Sequence, residues 1–379
     1  MKITYFFVHG RQKRINKNDN FAKEMYYSYF HFKDEYPETS FVEFKEPTRV
    51  FGSFLKILDK YLNKATKLPF FMSNVVNYSN FKKIINSDHI ICAQDRIAVS
   101  LLPIFKVVKI IKPNLKISFF VMGLFNKEDE KKVIKSLRSY FIKSIYKQTD
   151  NIIFLGKGEY DLALNNYPIF LKKSHLLPFM VDDKFWSKNS NLNFETKSGI
   201  LFIGNDGHRD YELLVEIAKR LKNYQFTFVT KKFMFEKLDL SNVKVFDGSW
   251  GNELLTDEEL RDLYRKSKIT IIPIKKTTQP SGQSVTLQSM CTGTPVIISD
   301  FPGLWDKTDI VNHQNIIISE NNELETWATL IESNYKNNEK LESISKEAMD
   351  LINKKYKEDL FNKNLSQILG LKSEKHDKE

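Results

Sequence analysis

Residues 279–300, QPSGQSVTLQSMCTGTPVIISD, decide how this 379-residue chain is read. An apolar run over 269–274, ITIIPI, predicts a strand entering this stretch. A polar loop, Ser281-Gly282-Gln283-Ser284, then opens a short helix carrying Val285, Leu287 and Met290. Thr292-Gly293 ends that helix, Pro295 follows, and Val296-Ile297-Ile298 predicts a second strand. Ser281 or Ser284 is placed to cap the helix, and Gly282 lets backbone come close to a ligand. The free N–H groups of such a helix start favour an anion, commonly a phosphate.

The same stretch resembles the donor-site signature of retaining glycosyltransferases of family 4, which have the GT-B fold. That signature reads Glu, seven residues, Glu, then Ala-Met-Ala-x-Gly-x-Pro-Val. Here Gln288-Ser289-Met290-Cys291-Thr292-Gly293-Thr294-Pro295-Val296 matches its second part. Both acidic positions depart from it: the first falls on Pro280 and the second on Gln288. The resemblance implies that Gln288 contacts the donor ribose, which an amide with one acceptor and one donor group can do. Gln283 then takes part of the sugar contact left by the missing first carboxylate.

Length predicts two domains, and a hydrophobic content of 41 % with 28 % charged residues is that of a globular protein. No eighteen-residue apolar run is present, so no transmembrane helix is expected. The first residues, MKITYFFVHG, read as a buried strand rather than a signal peptide. Cys92 and Cys291 sit in apolar contexts and fit neither a metal site nor a disulfide framework, which points to a reducing, cytoplasmic compartment. The net charge of +11 is uneven: residues 1–185 carry +13 and the remainder −2. That surplus favours an anionic partner for the first half, such as a membrane surface.

In the first half, Lys2–Val8 predicts a strand ending in His9-Gly10-Arg11, and Gly10 is the residue of that loop expected at the cleft. The segment 50–66 predicts a basic amphipathic helix with Phe51, Phe54, Leu55, Leu58 and Leu62 on one face and Lys56, Lys60 and Lys64 beside it. It reads equally as a membrane-surface helix and as a core-facing helix with a solvated lysine row. A strand over 88–93 leads to Asp95, chosen as the catalytic candidate near the acceptor, with a helix-cap role as its alternative. The strand 116–121 ends in Met122-Gly123, where the family often has His-Gly, so no acid–base role attaches there.

The crossing between halves, 176–185, is similar to the family's interdomain segment. Gly204-Asn205-Asp206-Gly207-His208-Arg209-Asp210-Tyr211 follows the first strand of the second half, and the resemblance assigns Arg209 to the donor diphosphate. Lys231 ends the next strand and is a further phosphate candidate. Gly248, Ser249 and Trp250 stand where the family cradles the nucleobase. Thr256 and Glu259 form a capping box.

The expected organisation is an acceptor-side Rossmann-like domain over 1–180, a donor domain over 181–345, a helix over 346–369 crossing back to the first, and a disordered tail over 370–379. The expected activity is metal-independent, retaining sugar transfer from a nucleotide-diphosphate sugar, with no cofactor, to a glycan or lipid-linked acceptor in bacterial surface polysaccharide synthesis. The alternative is a non-catalytic sugar-nucleotide-binding partner subunit. Nucleic acid is not expected as a partner, because aromatics do not interleave with the basic residues. The expected location is the cytoplasm, peripheral at the inner face of the plasma membrane.

Overall fold

Short, continuous apolar runs set the architecture. Such runs, buried on both faces, suit parallel strands covered by helices on either side. The computed structural model, which describes residues 1–16, 20–46, 51–126, 131–190, 192–232, 240–248 and 255–371, has twelve strands among them, most built from such runs. The first six are β1 (Ile3–Phe7), β2 (Ser40–Glu43), β3 (His89–Cys92), β4 (Lys116–Val121), β5 (Asn151–Phe154) and β6 (Ser174–Leu176). The second six are β7 (Ile200–Ile203), β8 (Phe226–Val229), β9 (Val243–Phe246), β10 (Ile269–Ile272), β11 (Val296–Ser299) and β12 (Ile317–Ser319). Every residue of β1, β3, β7, β10 and β11 is buried.

They form two all-parallel sheets, ordered β2-β1-β3-β4-β5-β6 and β12-β11-β10-β7-β8-β9. Each is doubly wound. Strand order reverses at β1/β3 in the first sheet and at β7/β10 in the second, and ligands of such sheets bind beyond the strand C-termini at these switch points. The expected α/β class of two Rossmann-like units is the observed one. Two edge strands, β2 and β6, were not anticipated: SFVE and SHL are too short and mixed to signal on pattern alone.

The two units meet along the β5 side of the first and the 278–305 segment of the second. A Cβ on Gly158 would lie 2.2 Å from the Pro302 carbonyl oxygen, so only glycine admits this approach. Pro280 packs against Gly156 here, which makes the first signature position part of the seam. The long C-terminal helix is two: Asn338–Leu351 and Glu358–Leu369, separated by a wide turn at Ile352–Tyr356. The break arises where Val181 donates to the Tyr356 carbonyl (2.9 Å) and pairs with the extended Lys357. Beyond it, Phe361 stacks on Phe120 of β4, so the last helix packs on the first sheet. Residues 372–379 of the expected tail lie outside the described residues.

Candidate functional site

The β7/β10 switch point is built from the two loops singled out in the sequence. β10 ends at Ile272, and the chain reaches the Gln283–Cys291 helix through Gly282, which sits at φ +81°. The positive φ favours glycine, and a Cβ there would crowd Ile272 Cγ2 and Ile274 Cδ1, both at 3.1 Å. Neither serine caps the helix: Gly282 is the cap residue, and no side chain bonds the first turn. That leaves the amides of Gln283, Ser284 and Val285 without intrahelical partners, at the positive end of the helix dipole. Ser281 instead accepts from Arg209 Nη1 (2.7 Å) and donates to Asp206 Oδ2 (2.9 Å).

Arg209 follows β7, is 3 % exposed, and forms an ion pair with Asp206 (3.0 Å). Its Nε has no hydrogen-bond partner among the described residues. Burial would raise the Asp206 carboxyl, but the Arg209 guanidinium and the His208 amide bring it below its ordinary value. The next residue inward, Asn205, donates to the Gly248 carbonyl (2.6 Å) and accepts from the Lys231 amide (2.8 Å). The loops after β7, β8 and β9 are thereby tied together.

These loops line a cavity of about 290 Å³ with Arg14, Glu24, Trp186, Leu255, Leu260 and Gln288. Of the donor-site residues named from the sequence, Arg209, Gly248, Ser284 and Gln288 line this one cavity. Ser281, Gly282 and Gln283 stand behind the lining. Gln283 Nε2 donates to the Leu155 carbonyl of the first domain (3.1 Å), a strut across the seam. Lys231 is exposed and contributes its backbone rather than its side chain. Gly10, at φ +91°, opens the Arg11–Asn16 helix, whose Arg14 reaches the cavity and contacts Asp257. Ser249 and Trp250 lie outside the described residues.

Sequence reading missed the first domain's contribution. The segment 20–24 crosses to the second unit: Asn20 donates to Glu258 (3.0 Å), and the Ala22 and Lys23 amides donate to Asp257 and Asp182, both at 2.9 Å. Glu24 ends this crossing, 1 % exposed. Its Oε1 accepts from Trp186 Nε1 (2.9 Å) and Gln288 Nε2 (2.8 Å), while Gln288 Oε1 accepts from the Tyr264 hydroxyl (3.1 Å). Glu24 Oε2 has no hydrogen-bond partner among the described residues, and burial pushes the carboxyl up to about 7. Tyr27 and Ser28 follow at φ +51° and +64°, consecutive left-handed residues that fix the turn carrying Glu24. A lone acid in a short one-turn helix among aromatics carries no periodicity, so only the fold discloses it.

Asp95 lines a different cavity, of about 380 Å³, with Lys67, Arg96, Arg138, His208 and Gln279. It begins the Asp95–Ile111 helix after β3, but the cap position is Gln94. Asp95 Oδ2 accepts from the Met122 amide (2.9 Å), so the carboxylate holds the loop after β4. Burial raises its pKa. Below it, burial and the nearby Asp95 raise Glu159 to about 8. Among the described residues no cluster of His, Cys, Asp or Glu is arranged to hold a metal ion.

The basic helix is Phe51–Thr66, and its expected apolar face divides. Leu55 and Asp59 turn inward, Asp59 accepting from the Met72 (2.8 Å) and Ser73 (3.0 Å) amides. Phe51, Phe54, Ile57, Leu58 and Tyr61 are exposed, as are Lys56, Lys60 and Lys64. Among the described residues no helix is long and apolar enough to cross a membrane.

No family model matches the chain, and no curated relative does. Solved structures do. HepE from Anabaena, in complex with UDP-glucose, superposes with a TM-score of 0.68 over 98 % of this chain and 99 % of its own, at 12 % identity. A glycosyltransferase from Rickettsia africae gives 0.64 over 97 % of each chain at 16 % identity. Sucrose-phosphate synthase from Thermosynechococcus elongatus gives 0.63 over 97 % and 98 % at 13 % identity. The fold of this chain is therefore that of the GT-B glycosyltransferases.

Proposed function

We propose that the chain is a glycosyltransferase that binds a nucleotide-diphosphate sugar in the 290 Å³ cavity and transfers the sugar to an acceptor hydroxyl. One observation carries this reading. The uncapped start of the Gln283–Cys291 helix and the buried Arg209 converge on a cavity at the switch point of a Rossmann-like sheet. The diphosphate would lie at Ser284 and Val285, where helix dipole and guanidinium stabilise the leaving group's charge without a metal. The base would lie toward Gly248, Leu255 and Leu260. The acceptor would enter by the Asp95 cavity, where Lys67, Arg96 and Arg138 suit a phosphate-bearing, lipid-linked glycan. We further assign family 4, retention of configuration, bacterial surface polysaccharide synthesis and peripheral membrane attachment on the signature at 288–296 and the basic, aromatic helix at 51–66.

A second reading keeps donor binding and removes transfer, making the chain a partner subunit. The positions held by Pro280 and Gln288, without carboxylates, favour it. A donor panel read by thermal shift tests the shared part, since bound donor raises the midpoint by mass action. Slow hydrolysis of the bound donor supports the enzyme. A donor that is bound and never hydrolysed supports the subunit, and no shift with any donor rejects both.

A further inference from the structure

Glu24 lines the donor cavity and is 1 % exposed, and its Oε2 has no hydrogen-bond partner among the described residues. Its other oxygen is anchored by Trp186 and Gln288, so the group is held rather than free to swing into solvent. A buried carboxylate oxygen without a donor is expensive, and a ligand hydroxyl would relieve it. Of the parts of a nucleotide sugar, the diphosphate is repelled by a carboxylate and the base face offers little to it. A hydroxyl donates to it in a short, charge-assisted bond.

Position selects which hydroxyl. Ser284 and Gln288 are four residues apart on one helix and line the same cavity. One turn therefore separates the phosphate end from the Gln288–Glu24 pair, about 6 Å along the axis. The ribose follows the phosphates of a nucleoside diphosphate by a step of that size. Both polar atoms of the Gln288 side chain already have partners, Tyr264 and Glu24, which leaves the carboxylate as the stronger acceptor. Resting on the donor assignment above, we propose that Glu24, reaching in from the first domain, accepts the ribose hydroxyls of the donor nucleotide. It would make the site selective for ribonucleotides, and complete only when both domains are closed.

The test is calorimetry on the full chain at pH 8 with UDP, GDP, ADP and CDP, each beside its 2′-deoxy and 3′-deoxy counterparts, and with dTDP. The wild type is expected to favour its ribonucleotide over a deoxy form by about 10-fold or more, the scale of one charge-assisted bond. Glu24→Gln, of equal size, should bind the ribonucleotide about 10-fold less tightly and leave unchanged the deoxy form that lacks the bonded hydroxyl, so that discrimination collapses. Glu24→Asp, which keeps the charge one carbon back, should retain part of it, and thermal melts establish that each variant is folded. Discrimination that survives in Glu24→Gln, or a wild type that binds dTDP or deoxy forms equally well, overturns the assignment of Glu24 and leaves donor binding intact. A wild type that binds no nucleotide rejects the donor reading itself and Glu24's role with it.

Discussion

The two domains have related doubly wound sheets and finish them in opposite ways. At the β7/β10 switch point the polar residues are bonded to one another: buried Arg209 to half-buried Asp206 and to buried Ser281, and Asn205 to Gly248. The first domain leaves Phe51, Phe54, Ile57 and Tyr61 exposed beside a lysine row, and its half of the chain carries +13 against −2. A site whose members fix each other is ready before its ligand arrives, which suits transition-state charge stabilisation. Aromatics left in water with cations beside them suit a surface completed by something larger and anionic. On the function proposed above, the second domain is finished for chemistry and the first for docking. Glu24 is the exception, a first-domain residue buried in the second domain's site.

The largest expected effect breaks the docking side. Each well-placed Lys near anionic lipid contributes about 1 kcal/mol. Reversing Lys56, Lys60 and Lys64 to Glu should therefore weaken binding to anionic vesicles by about 3 kcal/mol or more and leave nucleotide binding unchanged. Wild-type binding should also fall with salt, as the Debye length shrinks from about 10 Å at 0.1 M to about 3 Å at 1 M. Co-sedimentation that ignores both salt and the triple change removes this helix as the docking surface.

Next comes the donor side. Arg209→Ala should reduce donor affinity by about 1.5–3 kcal/mol while membrane binding stays as it was. Calorimetry showing unaltered affinity would take Arg209 out of the site. The two variants together separate the domains' roles, because neither should trespass on the other's readout.

This contrast also governs how much could be read in advance. The donor loops announce themselves because a strand, a glycine at positive φ and a helix start must follow in order, and a Cβ at Gly282 would crowd its neighbours. Arg209 was singled out through the resemblance of its loop to the family's, and it lines the donor cavity. The Ser281 hydroxyl was misjudged: a local rule makes it a cap, but the ion pair beneath it competes for the same oxygen. The helix 51–66 showed its apolar stripe but not which part of it faces the core, and Asp59 inside was invisible to a hydrophobicity pattern. Glu24 and the seam at Gly158 depend on residues more than 140 positions apart, and no window along the chain holds them.

Glu24 sharpens the comparison through pH. Burial raises its carboxyl from 4.5 to about 7, with the Gln288 hydrogen bond opposing and Asp182 and Asp257 adding to the rise. Between those values the folded protein binds more protons than the unfolded one. Stability from this group is therefore full below about 4.5 and lost as pH rises through about 7. Wild type should lose stability relative to Glu24→Gln by at most about 1.4 kcal/mol per pH unit in this window. Urea unfolding of both proteins at pH 5, 6, 7 and 8 measures it, and a constant difference would show that Glu24 titrates like an exposed acid. Hydroxyl binding needs the ionised form, so stability and donor recognition pull this residue in opposite directions, as polar groups at functional sites commonly do.

The smallest expected effect is the most diagnostic. On the signature alone, Gln288→Glu restores the family's usual residue and should keep or improve donor binding. Gln288 Nε2 lies 2.8 Å from Glu24 Oε1, however, so the change sets two carboxylates against each other in a buried place. One must hold a proton, and the single variant should lose donor affinity and shift its pH profile upward. Adding Glu24→Gln returns one acid and one amide to the pair, now exchanged across the domain boundary. Tyr264 can still donate to residue 288, and Trp186 to residue 24. The double variant should bind donor within about 0.5 kcal/mol of wild type although each single change is damaging, a coupling that only contacting residues produce. Additive losses in that cycle would mean that Glu24 and Gln288 act separately, and that the carboxylate has not moved from one domain to the other.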